Sequence, residues 1–130
     1  MHKKVMVIDD NPVDRYIAER IFTKYEFAEE IVCIDSAKKA LEYLISFKDI
    51  PDKLPHLIFL DIMMPEMNGF QFLDEYKNLP ETIKQNCIIL MLTTSIHSED
   101  HDKANDNPYV NRFLNKPLNV GVLKGLEDLE

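Results

Sequence analysis

Carboxylates, hydroxyls and a lysine stand at the ends of apolar runs that are typical of buried strands. Asp9 and Asp10 directly follow the first predicted strand, and Asp61 follows the third. The hydroxyl cluster at residues 93–95 ends the fourth predicted strand, and Lys116 comes shortly after the fifth. Carboxylates around a divalent cation, a hydroxyl donor and a lysine are together the components of a site for phosphoryl transfer.

Asp61 lies in the most informative segment of the chain. Residues 57–60, all apolar, precede it, as in a strand that is buried on both faces of a parallel sheet. Pro65 and Gly69 then turn the chain away, which leaves the carboxylate fixed on the edge where α/β sheets bind their ligands. A carboxylate held there is suited to bind a metal, to act as a nucleophile, or to do both.

The carboxylates of Asp9, Asp10 and Asp61 would repel one another if the first and third strands are neighbours. Such a cluster requires a cation, and Mg²⁺ is the natural candidate because it prefers oxygen ligands and also binds phosphate oxygens. An Asp-Asp pair after a strand, taken alone, is more often a turn or a helix cap. The prediction therefore depends on the joint occurrence of these groups at successive strand ends.

Strands and helices alternate five times in the hydrophobic pattern. Asn11 is suited to cap the first helix and Pro12 to begin it. Apolar residues then recur at helical spacing, with Phe22 beside them: Val13, Ile17, Ile21 and Tyr25. The predicted strands cover residues 4–8, 31–34, 56–60, 87–92 and 110–114, and the third of five helices is predicted to end near Pro80. This alternation predicts one parallel sheet covered by helices on both faces.

The size and charge of the chain restrict its class. The 130 residues suit one domain, and a hydrophobic fraction of 45% is enough for a core. A formal net charge of −8 argues against a basic surface that binds nucleic acid or an anionic membrane. The apolar runs are too short for a membrane span or a signal peptide, so we expect a cytoplasmic protein. Cys33 and Cys87 are expected to be buried, reduced thiols.

Four segments together resemble the receiver domain of two-component response regulators, the family that includes the single-domain chemotaxis regulator. The segments are VIDDN at 7–11, LDIMMPEMNG at 60–69, LTT at 92–94 and FLNKP at 113–117. The resemblance implies a flavodoxin-like α/β fold over residues 1–130. Its five-stranded parallel sheet would have the order 2-1-3-4-5 and be doubly wound with five helices. The resemblance also implies a receiver without an effector domain in this chain, and it points to a bacterial source.

The same resemblance implies roles for the carboxylates. Asp61 would be the phosphoacceptor, taking a phosphoryl group from a histidine kinase or a phosphotransfer protein. The Mg²⁺ ion would be held by Asp9, Asp10, Asp61 and the backbone carbonyl of Met63. The protein would then not be a classical enzyme, since it would catalyse only its own phosphorylation and a slow autodephosphorylation.

The resemblance further implies how the signal would leave the site. Thr93 and Lys116 would contact the phosphoryl group, and Lys116 would pair with Asp61 before modification. Phe113 would be the switch residue that repacks when Thr93 moves. A downstream target protein would read the changed surface of residues 98–123, without direct binding of nucleic acid or membrane. The oligomeric state is left open.

Three other functions are compatible with an α/β domain of this size. A small Mg²⁺-dependent phosphohydrolase could also work through an aspartyl phosphate, although Met63 stands where such enzymes usually carry a second acid. A nucleotide-binding module would need a phosphate-binding loop after the first strand, where this chain has Asp9 and Asp10 and where its three glycines do not lie. An unphosphorylated receiver-like binding module would not need the complete set of acids, hydroxyl and lysine.

Overall fold

The computed structural model describes residues 1–94 and 97–129. It contains one parallel sheet with helices on both faces. Within those residues the strands are β1 (His2–Ile8), β2 (Ala28–Ile34), β3 (Leu57–Leu60), β4 (Ile88–Thr93) and β5 (Val110–Asn115). The helices are α1 (Pro12–Lys24), α2 (Ala37–Ser46), α3 (Gly69–Tyr76), α4 (Glu81–Asn86), α5 (Ser98–Asp106) and α6 (Val120–Leu126), with a short 3-10 helix at Pro51–Lys53. Every strand pair is parallel and the order is β2-β1-β3-β4-β5, which confirms the predicted fold class and strand order.

The central strand β3 separates two hydrophobic cores. Because side chains alternate along a strand, Ile58 and Leu60 face the core under α2, α3, α4 and α5, whereas Leu57 and Phe59 face the core under α1 and α6. All four side chains are buried, as the uninterrupted apolar run predicts. This strand therefore carries the residue that follows it, Asp61, to a fixed point at the carboxyl edge of the sheet.

The predicted number of five helices is wrong, because the described residues form six α-helices. Pro80 was expected only to end the third helix, but it also serves as the N-cap of α4. Its ring prevents a helix from running through residue 80, while its carbonyl accepts a hydrogen bond from the N–H of Ile83 at 3.0 Å and starts a new turn. Ile83 is the one buried side chain of this six-residue helix, so the sequence holds no apolar period that could reveal it.

The first helix begins as predicted but buries a different face. The Asn11 side chain accepts hydrogen bonds from the N–H groups of Val13 and Asp14 at 2.9 and 3.3 Å, with Pro12 at the first helical position. The buried residues are Ala18 and Phe22. The predicted apolar stripe lies largely outside the core, with Val13 61%, Ile17 44% and Tyr25 43% exposed. The helix therefore packs on the core through Ala18 and Phe22, and it presents several apolar side chains to solvent.

The two cysteines are free and half-buried rather than fully buried as expected. Burial raises the pKa of the Cys87 thiol to about 12. Burial, followed by the nearby Glu19 carboxylate, raises the pKa of Cys33. Both shifts keep the thiols protonated, which agrees with the predicted lack of reactivity. None of the described helices is long and apolar enough to cross a lipid bilayer.

Candidate functional site

The parallel register brings the three predicted carboxylates together. Ile8 lies opposite Leu60, so the next residues, Asp9 and Asp61, leave neighbouring strands side by side. The N–H of Asp61 donates to the carbonyl of Ile8 at 3.0 Å, which extends the sheet hydrogen bonding to the acid itself. One carboxylate oxygen from each of Asp9, Asp10 and Asp61 lies within 4.8 Å of the other two. Asp9 and Asp61 are buried and Asp10 is exposed.

Asp9 is held by contacts on several sides. One carboxylate oxygen accepts the N–H of Asn11 at 3.0 Å, and the other accepts the ammonium of Lys116 at 2.6 Å. Its backbone carbonyl accepts a hydrogen bond from the Arg15 guanidinium at 2.8 Å. A buried carboxylate with these partners has a fixed orientation toward the space beside Asp61.

Lys116 reaches the same edge from β5. Its N–H donates to the carbonyl of Thr93 at 2.9 Å, which fixes the backbone beside the end of β4, and the Lys116–Pro117 peptide bond is cis. The ammonium lies 2.6 Å from an oxygen of Asp9, 2.8 Å from an oxygen of Asp14 and 3.6 Å from an oxygen of Asp61. The expected pairing with Asp61 is therefore the longest of the three contacts.

Sequence reasoning missed Asp14, which contacts Lys116 from the first turn of α1. The signal that could have found it is its position three residues after the N-cap Asn11. A helix that begins there turns this side chain back toward the end of β1. Its partner, Lys116, is distant in the sequence, and the hydrophobic pattern contains nothing that joins the two.

Burial and charge act together on Asp61. Burial raises the pKa of its carboxyl from 3.8 to about 6, and the Asp9 carboxylate also raises it. The Lys116 ammonium and hydrogen bonds from the backbone N–H groups of Met63 and Ile62 lower it, but by less. Burial lowers the pKa of Lys116, but hydrogen bonds to Asp14 and Asp9 raise it. The net result is a pKa above the ordinary value for lysine. The lysine is thus charged and the Asp61 carboxylate is mainly ionised at neutral pH.

The residues fit a divalent cation. Asp9, Asp10, Asp14 and Asp61 place four formal negative charges around the single positive charge of Lys116. Three of these carboxylates converge on one point, and two of the three are buried, where an unbalanced charge is costly. Hard oxygen donors in this arrangement suit Mg²⁺ or a similar cation better than a soft metal that prefers sulfur or nitrogen.

The turn after Asp61 shapes the mouth of the site. The Met63 side chain is 68% exposed, and its N–H donates to the Asp61 carboxylate. Glu66 has a positive φ of 66°, and the N–H of Gly69 donates to the Ile62 carbonyl at 2.9 Å. A Cβ atom at Gly69 would lie 2.6 Å from the Asp61 carbonyl oxygen, so only glycine permits this close approach. The turn is consequently folded back onto the acid.

Thr93 and Phe113 lie on the same face of the sheet, at its edge on β4 and β5. Thr93 is fully buried at the end of β4 and lies opposite Asn115, while Phe113 lies opposite Met91, two residues back. The half-buried Phe113 ring contacts the ring of His101 on α5, with centroids 3.9 Å apart. Within the predicted hydroxyl cluster Thr94 is exposed, and Ser95 lies outside the described residues.

A cavity of about 230 Å³ opens beside these groups, on the side of α1. Asp14 and Ile17 of α1 line one wall, and Thr94, Pro117 and Leu118 line the other. Because Ile17 is also 44% exposed, the cavity borders the exposed apolar side of α1.

Comparison with known proteins identifies the family. A family model described as the response regulator receiver domain matches residues 5–126. The hybrid signal transduction histidine kinase C of Dictyostelium discoideum is 32% identical over 125 residues, which are 93% of this chain but only 10% of the kinase. The crystal structure of a two component response regulator from Cytophaga hutchinsonii has a TM-score of 0.88 at 27% identity and covers 96% of this chain and 93% of that one.

A phosphorylated regulator is also among the similar structures. The phosphorylated cyanobacterial phytochrome response regulator RcpA has a TM-score of 0.77 at 28% identity, with coverage of 98% of this chain and 93% of that one. The resemblance pointed to a bacterial source. The related proteins include one from Dictyostelium, so membership of the family does not restrict the source to bacteria.

Proposed function

The chain belongs to the family of response regulator receiver domains, and from this membership we propose that Asp61 accepts a phosphoryl group with the help of Mg²⁺. The donor is the phosphohistidine of a histidine kinase or a phosphotransfer protein, and the phosphorylated form binds a downstream target protein. The observation that carries the proposal is the buried Asp61 carboxylate, which lies beside two further acids and the Lys116 ammonium. The kinase relative and the phosphorylated regulator support it.

The transfer is a displacement at phosphorus. An Asp61 carboxylate oxygen forms the new O–P bond while the P–N bond to the donor imidazole breaks, and the bonding electron pair leaves with the imidazole nitrogen. Mg²⁺, held by Asp9, Asp10, Asp61 and the backbone carbonyl of Met63, would neutralise charge between the two anions. Lys116 and the Thr93 hydroxyl provide hydrogen-bond donors for the phosphoryl oxygens.

The phosphohistidine donor has to dock over α1. Transfer requires the donor's phosphorus to reach Asp61, so the partner must cover the carboxyl edge of the sheet. Tyr16 is 62% exposed and lies on α1 with two further exposed apolar residues, Val13 and Ile17, of which Ile17 lines the cavity. Exposed apolar side chains of this kind are suited to a protein partner. A donor phosphorylated at the expense of ATP would meet the protein in the cytoplasm, which is the location we propose.

The assignment of residues 1–130 to a receiver without an effector domain stays a prediction. Receiver domains are phosphoacceptors rather than classical enzymes, and a slow autodephosphorylation of this one is part of the proposal. The apolar, exposed Met63 stands two residues after Asp61 and has no acidic group to protonate a leaving group, which disfavours a phosphohydrolase.

Intact-mass measurement with acetyl phosphate and Mg²⁺ tests the phosphoacceptor role. We expect the wild-type protein to gain the mass of one phosphoryl group, because acetyl phosphate can replace the natural donor. The Asp61→Ala variant should gain none, and chelation of Mg²⁺ should suppress the gain in the wild type. Asp35→Ala is the matched control, since Asp35 follows β2 at the same edge but pairs with Lys39.

Other outcomes of this experiment would replace the proposal. Release of inorganic phosphate over many turnovers without a labelled protein would indicate the phosphohydrolase. Absence of both modification and turnover would indicate a binding module that is not phosphorylated.

Hydrogen exchange tests the proposed output surface, residues 98–123. We expect beryllofluoride with Mg²⁺ to change the protection of backbone amides in α5 and β5, because Thr93 and Lys116 lie at the ends of β4 and β5 and Phe113 contacts His101. The amides of α2, which contacts the opposite edge strand β2, serve as the internal reference, and their protection should not change. Equal changes in both regions, or none in α5 and β5, would contradict the proposed surface.

A further inference from the structure

The Lys116 ammonium is committed to two carboxylates that flank the phosphoacceptor. An ammonium has three N–H donors, and here two of them bond to Asp9 and Asp14 at 2.6 and 2.8 Å. The nearest oxygen of Asp61, at 3.6 Å, lies beyond hydrogen-bond distance. Lys116 therefore contributes to the electrostatics of Asp61 without bonding to it.

The contact with Asp14 comes from a different part of the fold than the contact with Asp9. Asp14 lies in the first turn of α1, and its side chain is 32% exposed, whereas Asp9 directly follows β1 and its side chain is 4% exposed. The two acids hold the ammonium on the α1 side of the cluster, beside the cavity wall that Asp14 and Ile17 form. Among the hydrogen bonds that raise the pKa of Lys116 against the effect of burial, the one to Asp14 is the largest.

Phosphorylation would change what Lys116 has to reach. A phosphoryl group on Asp61 adds strong acceptor oxygens beyond the carboxylate. The ammonium would have to turn toward Asp61 to bond to them, and it would then lose or lengthen its bond to Asp14. The charge of Asp14 is thus satisfied best in the unphosphorylated protein.

We propose that Asp14 is a positioning residue that restrains Lys116 in the unphosphorylated state and thereby weakens capture of a phosphoryl group at Asp61. The inference rests on the proposed phosphoacceptor function and adds a regulatory residue to the same site. Removal of the charge at position 14 frees Lys116 to turn toward the acceptor. The result is tighter binding of a phosphoryl group, which is the opposite of the effect expected for a residue that merely supports the fold.

The test is the affinity for beryllofluoride in the presence of Mg²⁺, measured by NMR titration of the full chain. We expect Asp14→Asn to bind roughly three- to fivefold more tightly than the wild type, the scale of a partly exposed ion pair. Asp14→Glu, which keeps the charge, should bind like the wild type. Asp35→Asn, the matched loss of a carboxylate at the same sheet edge, should also leave the affinity unchanged. Unchanged or weaker binding by Asp14→Asn overturns the inference.

Two further measurements separate restraint of Lys116 from simple charge repulsion. In a Lys116→Met background the gain from Asp14→Asn should vanish, and a gain of full size there overturns the inference. The Lys116 side-chain resonances should shift in Asp14→Asn but not in Asp35→Asn, and an unshifted lysine also overturns it. A wild-type protein that binds no beryllofluoride and gains no phosphoryl group would instead contradict the proposed function itself.

Discussion

Replacing Asp61 by asparagine is expected to raise the free energy of unfolding by about 2–3 kcal/mol at about pH 7.5 in metal-free buffer. Burial raises the pKa of this carboxyl from 3.8 to about 6, so ionisation is less favourable in the folded protein than in the unfolded chain. The side chain is 8% exposed, and solvent therefore screens the effect little. Asparagine keeps the shape of the acid and removes its charge.

The pH dependence has a definite sign. The pKa of Asp61 is higher in the folded state, so its contribution to stability is fully present below about pH 4 and is lost as the pH rises through about 6. Wild type and Asp61→Asn should thus be equally stable at about pH 4 and diverge toward neutral pH. Urea unfolding followed by circular dichroism at several pH values measures the difference. Parallel stability curves for the two proteins would contradict the assigned pKa.

Addition of Mg²⁺ supplies an independent check. A cation that binds only the folded protein stabilises it by mass action. Since the wild type has the full set of carboxylates, we expect Mg²⁺ to stabilise it more than Asp61→Asn and to reduce the gap between them. The expected gain from asparagine would be a stability–function conflict, in which a site retains a charge that the fold alone does not favour.

The part of the fold that sequence reasoning predicted best is the sheet. Strands such as β3 are buried on both faces, and an uninterrupted apolar run has few other interpretations. The edge strand β2 was predicted three residues too short because Glu29 and Glu30 lie exposed on it, which a central strand would not allow. Likewise, α1 was recognised as a helix, but its buried face depends on Ala18, which carries little hydrophobic signal.

The convergence of the carboxylates was predictable for a simple reason. Parallel strands end at one edge, so Asp9 and Asp61, each directly after a strand, had to meet if β1 and β3 are neighbours. The partners of Lys116 were not predictable in the same way. The distances from its ammonium to the carboxylates of Asp9, Asp14 and Asp61 differ by about an ångström or less, and the distance to Asp14 depends on how α1 packs. Such distances are tertiary properties and leave no pattern in the sequence.

Replacing Lys116 by methionine is expected to have the opposite effect to Asp61→Asn. The substitution keeps most of the apolar stem but leaves the buried carboxylates of Asp9 and Asp61 without their nearby positive charge. Breaking a buried ion pair from one side is strongly destabilising, and we expect a loss of about 3 kcal/mol at about pH 7.5 without metal. Phosphorylation by acetyl phosphate should slow on the order of 100-fold, the effect of removing one preorganised donor from a site of developing charge.

The same electrostatic account predicts how that loss can be reversed. Mg²⁺ supplies positive charge to the acids that Lys116 had neutralised, so it should restore much of the stability of Lys116→Met but not its rate of phosphorylation. Protonation of Asp61 at acid pH should also shrink the loss, and it should begin at a higher pH than in the wild type, because the ammonium that lowers the pKa of this carboxyl is gone. Lys39→Met is the matched control, because Lys39 pairs with Asp35 where both side chains are at least half exposed, and its removal should change stability very little. Equal losses of stability in the two variants would mean that Lys116 acts through its stem rather than its charge. A loss of stability that is confined to Lys116→Met and is relieved by Mg²⁺ or acid would show that the Lys116 ammonium neutralises the acids when no cation is bound.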